Sequence, residues 1–314
     1  MTALEDLLED VTAGDPITGL KWTHRSLERL SRALRRRGVK LGETTIARLM
    51  RQGGFSLRTN RKRLAGTDDP RRDRQFRYLS RMRRLYRARG WPVISVDAKK
   101  KEWVGNFKNR GRTWRRQPRD VLDHDFPSWA IGRAILYGIY DPAANDGYMV
   151  VGVAHETPAF AVAAIRRWWI VVGRRRYPEA GRLLILADSG GANGCRKWAW
   201  KVALQRLADE FGLIVMVSHY PPGASKWNPI DHRMFSLISA NWAGEPLVSY
   251  ETVLNYIRTT RSRTGFRCRA WLDTKGYPKG LKVKPAEKAW VRLRPRRVLP
   301  EWNYTIWPHK HPHE

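Results

Sequence analysis

Cysteine, long apolar runs and acidic residues are all scarce in this chain of 314 residues. The two cysteines, Cys195 and Cys268, form no metal-binding or disulfide pattern, which excludes zinc modules and disulfide scaffolds. The longest apolar runs, LLILA and WWIVV, are far too short to span a bilayer. The first twenty residues carry acids and no Lys or Arg, unlike a secretory signal, so we expect a cytoplasmic protein.

The shortage of acids leaves a large positive charge. Sixty Lys and Arg stand against 29 Asp and Glu, which gives a formal net charge of +31. Phosphate polyanions are the expected partners of such a chain. An anionic membrane surface is the competing interpretation, but no basic amphipathic segment with a clean apolar face stands out. The composition therefore favours a nucleic-acid partner, with the protein associated with the nucleoid, and no membrane.

Positive charge is concentrated near the N-terminus. Residues 21–90 contain 23 Lys or Arg and 5 Asp or Glu, about three times the net charge per residue of 91–314. Two amphipathic helical patterns, joined by a short connection containing glycine, predict a helix-turn-helix in this segment. We therefore divide the chain into a helix-turn-helix DNA-binding module at 1–65, a basic helical linker at 66–91 and a larger domain at 92–314.

The second of these helices is the candidate reader of DNA. It is predicted to turn four side chains toward a major groove, those of Thr44, Thr45, Arg48 and Arg51. The arm that follows is predicted to contact the DNA backbone through Arg58, Arg61, Lys62 and Arg63. An ordinary helical hairpin with solvated arginines is the alternative. The arginine run of the linker is either a solvated helical face or the lining of a DNA channel.

From Pro92 onward the hydrophobic pattern alternates between strands and helices. The predicted order is strand, strand, strand, helix, strand, helix, strand, helix. The first strand covers roughly 93–98, and the polar segment after it, which begins KKKEW, is predicted to be a loop. This order is that of a ribonuclease-H-like α/β fold, a mixed five-stranded sheet with helices on both faces.

Three aspartates fall where this pattern lets carboxylates converge. Asp97 ends the first strand, Asp188 ends the fourth, and Asp231 opens the late helix NPIDHRMFS. Carboxylate oxygens suit magnesium, and two divalent ions about 3.5–4 Å apart can activate a nucleophile and stabilise the leaving oxygen of a phosphodiester. Beside so much positive charge, this favours metal-assisted chemistry on a nucleic acid. Each acid alone would also suit an ordinary structural role, as a strand-end ion pair, a turn former or a partner of a helix dipole.

The loop HYPPGASKWNP precedes Asp231 and is predicted to hold it in place. Lys226 in this loop is expected to contact DNA, whereas Trp227 is either a DNA contact or part of the core. His219 and His232 lie near the site in sequence, and for both a structural, hydrogen-bonded histidine is favoured over a metal ligand. The glycines of ADSGGANG lack the Gly-Lys-Ser/Thr ending of a nucleotide loop, so nucleotide binding is not predicted.

Five segments resemble DDE-type insertion-sequence transposases of the ISAzo group. They are ISVDAKKKEWVGNFKN, HDFPSWAIGRAILYGIYDPAANDG, LLILADSGGANG, HYPPGASKWNPIDHRMFS and EWNYTIWP, and the resemblance runs from about residue 14 to 308. It implies a helix-turn-helix region before a ribonuclease-H-like catalytic domain, with Asp97, Asp188 and Asp231 at the positions of the catalytic, metal-binding acids. It further implies a protein that binds the terminal inverted repeats of its element in double-stranded DNA, cuts the ends and joins them to target DNA. Two Mg²⁺ ions would serve this chemistry, with Mn²⁺ as an alternative. Because two DNA ends must be brought together, we expect a homodimer or a larger assembly on DNA.

Two departures from the family pattern leave alternatives open. The third acid is usually Glu, in the motif WNPIEHR, and Asp231 is one methylene shorter, which places its carboxylate about 1 Å further back. The chain also begins at MTALEDLLEDVTAGDP, where relatives are expected to carry further N-terminal sequence. A weakened or truncated transposase remnant that only binds DNA is therefore the second hypothesis. A nuclease of the same fold that only hydrolyses DNA is the third.

Overall fold

The computed structural model describes residues 26–57, 69–224 and 227–309, together with the backbone of 13–14 and 21–22. The chain divides into two compact units, residues 1–64 and 65–314, and each is described by itself. The described part of the first unit contains a short antiparallel strand pair and two helices. They are β1 (Ala13–Gly14), β2 (Lys21–Trp22), α1 (Leu27–Arg36) and α2 (Glu43–Gln52).

The two helices of the first unit pack through a small apolar core. Leu30 and Leu34 of α1 and Ile46 of α2 are fully buried. The Ser26 side chain caps α1 by accepting a hydrogen bond from the Arg29 backbone N–H, which satisfies one of the free donors of the first turn. The connection that follows α1 turns at Gly38, whose φ of +80° disfavours any side chain.

The second unit is built on one mixed sheet of eight strands. In chain order the strands are β3 (Val93–Val104), β4 (Gly132–Asp141), β5 (Asp146–Gly152), β6 (Arg182–Ala187), β7 (Ile214–His219), β8 (Arg267–Asp273), β9 (Leu293–Pro295) and β10 (Asn303–Ile306). Across the sheet the order is β8-β5-β4-β3-β6-β7-β10-β9. Among the central five, β4 is antiparallel to both β5 and β3, whereas β6 and β7 run parallel to β3. This is the predicted ribonuclease-H-like α/β arrangement, so the predicted fold class is confirmed.

Two details of the sheet differ from the sequence prediction. The five-stranded core is extended by β8 beside β5 and by β10 and β9 beside β7. The first strand does not end near residue 98 but continues through the lysines to Val104, and Glu102 pairs with Ala134 of β4 after an irregularity that follows Lys99. β6 pairs with β3 only as far as Val96. The outer part of β3 therefore has a neighbouring strand on one side only. Its side chains are charged and partly exposed, which is a sequence pattern typical of a loop.

Helices cover both faces of the sheet. They are α3 (Arg72–Ala88), α4 (Pro158–Trp168, continued through a π-helical turn at Trp169–Gly173 and a last turn at Arg174–Arg176), α5 (Trp198–Phe211), α6 (Ser236–Asn241, preceded by a π-helical turn at Asp231–Phe235), α7 (Tyr250–Thr259) and α8 (Pro285–Trp290). Helices α4 and α5 share a core with one face of the sheet, which we call the first face. Helices α3, α6 and α7 pack on the other, the second face. Within the described residues, no helix is long and apolar enough to cross a membrane.

The second face carries two separate packed groups. Helix α3 lies over β6 and β7, with Met82 in one core cluster with Leu184 and Met216. Helices α6 and α7 lie over β4 and β5, where Ile238 and Leu136 share another cluster. Strand β3 runs between these groups, so side chains on its second face are approached from both sides. This placement creates the candidate site.

Candidate active site

Asp97 and Asp188 lie side by side on the second face of the sheet. Strands β3 and β6 are parallel neighbours in which Val96 pairs with Ala187, so the next residue on each chain segment is an aspartate. Adjacent strands are about 4.8 Å apart, and residues two positions apart point to the same face. Leu186, two positions before Asp188, belongs to the second-face core. The predicted meeting of the two acids is thus present in the backbone register, although Asp97 lies within β3 and not at its end.

The third aspartate approaches this pair from the helical side. Asp231 opens the π-helical turn that leads into α6, and its backbone N–H donates to the carbonyl oxygen of Asn228 at 3.2 Å. The sequence pattern predicted a helix at this position, but it did not predict the π-helical turn. Such turns occur frequently at functional sites. We call Asp97, Asp188 and Asp231 together the aspartate site.

Burial raises the pKa of all three acids, and the negative charge of a neighbouring carboxylate raises it further at Asp97 and Asp231. Burial, followed by the charge of Asp188, raises the pKa of Asp97 to about 8, and Asp231 and Glu156 add smaller increases. The Ala98 backbone N–H, which donates to the Asp97 carboxylate, opposes this rise. Burial also raises the pKa of Asp188, and burial followed by the charge of Asp188 raises that of Asp231. A bound cation would relieve both causes, because it replaces lost solvation and separates like charges.

The geometry is that of an open site. Among the described residues, no three His, Cys, Asp or Glu side chains are close enough to enclose a metal ion. Asp97 and Asp188 form a neighbouring pair, and Asp231 interacts with them through its charge. Magnesium keeps several of its waters and is commonly held by one or two carboxylates plus substrate phosphates, so an open carboxylate pair suits it. The donor set therefore fits a hard divalent ion that is completed by water and phosphate.

Asn228 connects the aspartate site internally. It is fully buried, and its Nδ2 donates to Oδ1 of Asp188 at 3.1 Å while its Oδ1 accepts a hydrogen bond from Ser95. Its backbone carbonyl accepts from Asp231. One residue thus fixes the start of the helical segment to both strands that carry the paired acids. Sequence analysis did not assign Asn228 or Ser95 to the site, although Asn-Pro before a helix is a recognisable cap signal.

Gly138 allows the helical turn to approach the sheet. It pairs with Asp97 across β3 and β4, and a Cβ at this position would lie 2.5 Å from Cε1 of Phe235 and 3.0 Å from Cδ1 of Ile230. Both neighbours belong to the segment that carries Asp231. Only glycine lets this segment pack directly beside Asp97. The sequence offered no signal for this requirement, because a glycine within a strand equally marks a bulge, a sharp bend or the approach of a ligand.

His219 supports the site without facing a ligand. It is fully buried at the end of β7, with Nδ1 2.9 Å from the carbonyl oxygen of Asp188 and Nε2 3.2 Å from the Tyr304 hydroxyl. Burial lowers its pKa to about 4, so the ring is neutral at physiological pH. This is the hydrogen-bonded structural histidine that the sequence favoured. His232 is exposed within the turn that Asp231 opens.

A basic cleft of about 650 Å³ opens beside Asp231. Its lining includes Lys100, Lys108 and Arg110, together with Trp103. A fourth cation, Lys99, also lines it, but this side chain is already paired with Glu102 at 2.7 Å and lies over the Trp242 ring. Asp125 lines the cleft as well, and the cations of the lining outnumber its acids by four to three, which leaves a small excess of positive charge that can attract a polyanion.

The predicted DNA-contacting residues fall into two groups. On α2, Thr44, Arg48 and Arg51 are exposed and Thr45 is half-buried, so this face of the helix is available to a partner. The remaining candidates, Arg58, Arg61, Lys62, Arg63 and Lys226, lie outside the described residues. Trp227 is 55% exposed, with its ring 5.9 Å from that of Phe76, so it lies at the edge of the core beside the aspartate site.

Comparison with known proteins gives a family and several similar structures. A family model described as the Rhodopirellula transposase DDE domain matches residues 3–308. No curated protein matches the chain significantly. The mariner Mos1 paired-end complex with Mg is similar at 16% identity and a TM-score of 0.44, over 81% of this chain and 68% of that chain. The Mos1 transposase paired-end complex with the left transposon end is similar at 14% identity and a TM-score of 0.42, with the same coverage.

Proposed function

Because the chain belongs to the family of the Rhodopirellula transposase DDE domain, we propose that it binds the terminal inverted repeats of its element, hydrolyses the DNA ends and joins them to target DNA. The observation that supports this most directly is the register of β3 and β6, which makes Asp97 and Asp188 neighbours on one face of the sheet. Their raised pKa values are the electrostatic mark of carboxylates suited to a shared cation.

In this proposal each part of the site has a defined task. Divalent ions, Mg²⁺ or Mn²⁺ and two in number, supply an activated nucleophile and a stabilised leaving oxygen when bound. Asp97 and Asp188 would hold them from the sheet, and Asp231 would complete the donor set from the helical side. Asn228 keeps the Asp188 carboxylate oriented through its 3.1 Å hydrogen bond. The basic cleft draws the phosphate backbone toward the acids.

DNA recognition is assigned to the N-terminal unit. We propose that residues 1–65 form the helix-turn-helix module, that 66–91 link it to the catalytic domain at 92–314, and that the exposed face of α2 reads the inverted repeat. The protein would act on the nucleoid in the cytoplasm, as a homodimer or larger assembly that holds two DNA ends.

The test is divalent-dependent nicking of a labelled element end, taken from the DNA that flanks the coding region. Asp97→Asn and Asp188→Asn should abolish nicking while duplex binding is retained. Asp209→Asn is the matched control, because Asp209 lies on α5 over the first face and pairs with His309. If either site variant nicks at the parental rate, the assignment of the site is wrong.

A second function is favoured by two observations on the third acid. Asp231 is shorter than the Glu expected there, and the described acids do not enclose a metal position. Both would suit a remnant that only occupies inverted repeats. Asp231→Glu separates the possibilities: a gain in nicking identifies a weakened enzyme, whereas continued silence with intact DNA binding identifies a binding protein. A strand-transfer assay with a precut end would then distinguish a transposase from a nuclease that only hydrolyses.

A further inference from the structure

One face of helix α3 packs against the core, and the opposite face carries many arginines. Its buried face packs on the sheet, and Gln75 anchors it by donating to the His219 carbonyl oxygen at 2.7 Å. Six arginines are exposed along the remainder of the helix: Arg74, Arg77, Arg81, Arg83, Arg84 and Arg87. Like charges three or four residues apart repel one another, so this surface destabilises the isolated helix. The core contacts keep α3 folded in spite of that repulsion.

These six arginines share one helix and have no acidic partner there or elsewhere in the part of the chain that the structure describes. None of them forms an ion pair with any acid that the structure describes, whereas Arg71, Arg166 and Arg176 each pair with a carboxylate at 3.0 Å or less. Asp73 is the one acid within α3. The helix therefore presents a dense positive charge that the described protein does not neutralise.

Three of the arginines line a cleft of about 560 Å³ at the C-terminal end of α3. Arg83, Arg84 and Arg87 form one wall, and Pro142 and Tyr177 belong to the other. We call this the arginine cleft. Its lining residues are Ser80, Arg83, Arg84, Arg87, Gly90, Trp91, Val93, Pro142, Ala143 and Tyr177, which include no acid.

Further cations surround the aromatic part of the cleft. The Trp91 ring has the guanidinium carbons of Arg182 and Arg89 at 5.0 and 5.8 Å from its centroid. The nearby Asp141 is fully buried and is occupied by Arg176 and by the Tyr177 hydroxyl. The local field is therefore positive, and the aromatic and proline surfaces offer packing for the apolar part of an anionic ligand.

The arginine cleft lies close to the aspartate site. Val93 lines the cleft and stands four residues before Asp97 on β3, on the same face of the sheet. At about 3.3 Å per residue, the two positions are roughly 13 Å apart. That separation amounts to a few nucleotides along a DNA strand, whose rise is about 3.4 Å per base pair. One DNA molecule can therefore reach both places.

We propose that the arginine cleft is a binding site for the sugar-phosphate backbone of double-stranded DNA, separate from the N-terminal helices. The arginine forks donate paired hydrogen bonds to phosphate oxygens, which fixes the duplex at a set distance from the carboxylates. Trp91, Pro142 and Tyr177 pack against the sugars. The proposed function supplies the identity of the polyanion, but the binding itself needs no catalysis.

The experiment measures the affinity of the full chain for a 30-base-pair duplex over a range of salt concentrations. EDTA is present, so the result does not depend on whether the protein cleaves DNA. The variant is Arg83→Ala, Arg84→Ala and Arg87→Ala together, since alanine suits a helix. The charge-matched control is Lys275→Ala, Lys279→Ala and Lys282→Ala, three exposed lysines near Tyr277, which packs against the first-face core.

Loss of three phosphate contacts should reduce the slope of log K against log salt by about 2 to 3, since each contact contributes about 0.9. The lysine control should change the slope by less than about 1. Equal changes in both variants, or none in the arginine variant, would overturn the proposal. Arg→Lys at the same three positions keeps the charge but not the fork, and should retain the slope with several-fold weaker binding. Parental affinity in that variant would also overturn the proposal, and this result remains available if the alanine variant does not fold.

Discussion

Replacing Gly138 with alanine tests how Asp231 is held against the sheet. The new Cβ would lie 2.5 Å from Cε1 of Phe235, whereas ordinary contacts begin at 3.4 Å, so Phe235 must retreat by about 0.9 Å. Phe235 and Asp231 share one five-residue turn, and we expect the carboxylate to move by about 1 Å with it. A misplacement of that size can lower a catalytic rate on the order of a hundredfold. Overpacking should also cost about 1–3 kcal/mol of folding stability.

Gly152→Ala provides the matched control. A Cβ at Gly152 would lie 2.8 Å from Cε2 and Cζ of Phe160, a residue of α4 on the first face of the sheet. We expect a similar loss of about 1–3 kcal/mol without displacement of Asp231. Single-turnover nicking at saturating protein and Mg²⁺, with thermal unfolding measured in parallel, separates the two variants. The reasoning is refuted if Gly138→Ala nicks at the parental rate, or if both variants lose the same rate when fully folded.

Three further predictions concern groups around the aspartate site. Asn228→Ala should raise the Mg²⁺ concentration needed for half-maximal nicking, with DNA affinity in EDTA unchanged, because the Asp188 carboxylate loses its amide donor. In His219→Gln, the thermal unfolding temperature should depend much less on pH between about 6.5 and 4. In the parent, a folded pKa of about 4 for His219 lowers the folding stability by up to about 3 kcal/mol as the pH falls through this range. In EDTA, Asp97→Asn should be more stable than the parent at pH 8 but not near pH 4. The reason is that a folded pKa raised to about 8 makes the parent lose stability as the pH rises from about 4 to 8.

The sheet core and the paired acids could be predicted from sequence because their signals are local. Apolar runs such as LLILA, which is fully buried, mark strands that are covered on both faces. Asp97 follows one such run and Asp188 ends another, and parallel strands bring such positions to one edge. The sequence prediction of strand boundaries was less accurate where a strand is paired on one side only. There the charged continuation of β3 to Val104 resembles a loop.

The contacts that position Asp231 could not be predicted from the sequence, because they depend on the distance between the sheet and the helical segment that packs on it. Gly138 matters because a helical turn from a segment nearly one hundred residues later packs on its α-carbon. Asn228 matters because Ser95 and Asp188 lie within reach of its amide from two strands. Neither requirement leaves a periodic pattern in the chain. The π-helical turn likewise follows from packing and not from helix propensity.

The positively charged surface attracts DNA phosphate, whereas the carboxylates of the aspartate site repel it. This difference constrains how DNA and metal can bind. Burial and, after it, the charge of Asp188 already raise the pKa of Asp97 to about 8. DNA held by the basic cleft would bring further negative charge to these acids, and without cations its phosphate would be repelled from them. Divalent ions reverse that repulsion, so metal and DNA should each strengthen the binding of the other by the same factor. We expect the net charge of +31 to attract DNA to the protein, and the last few ångströms of approach to depend on divalent ions that Asp97 and Asp188 would hold.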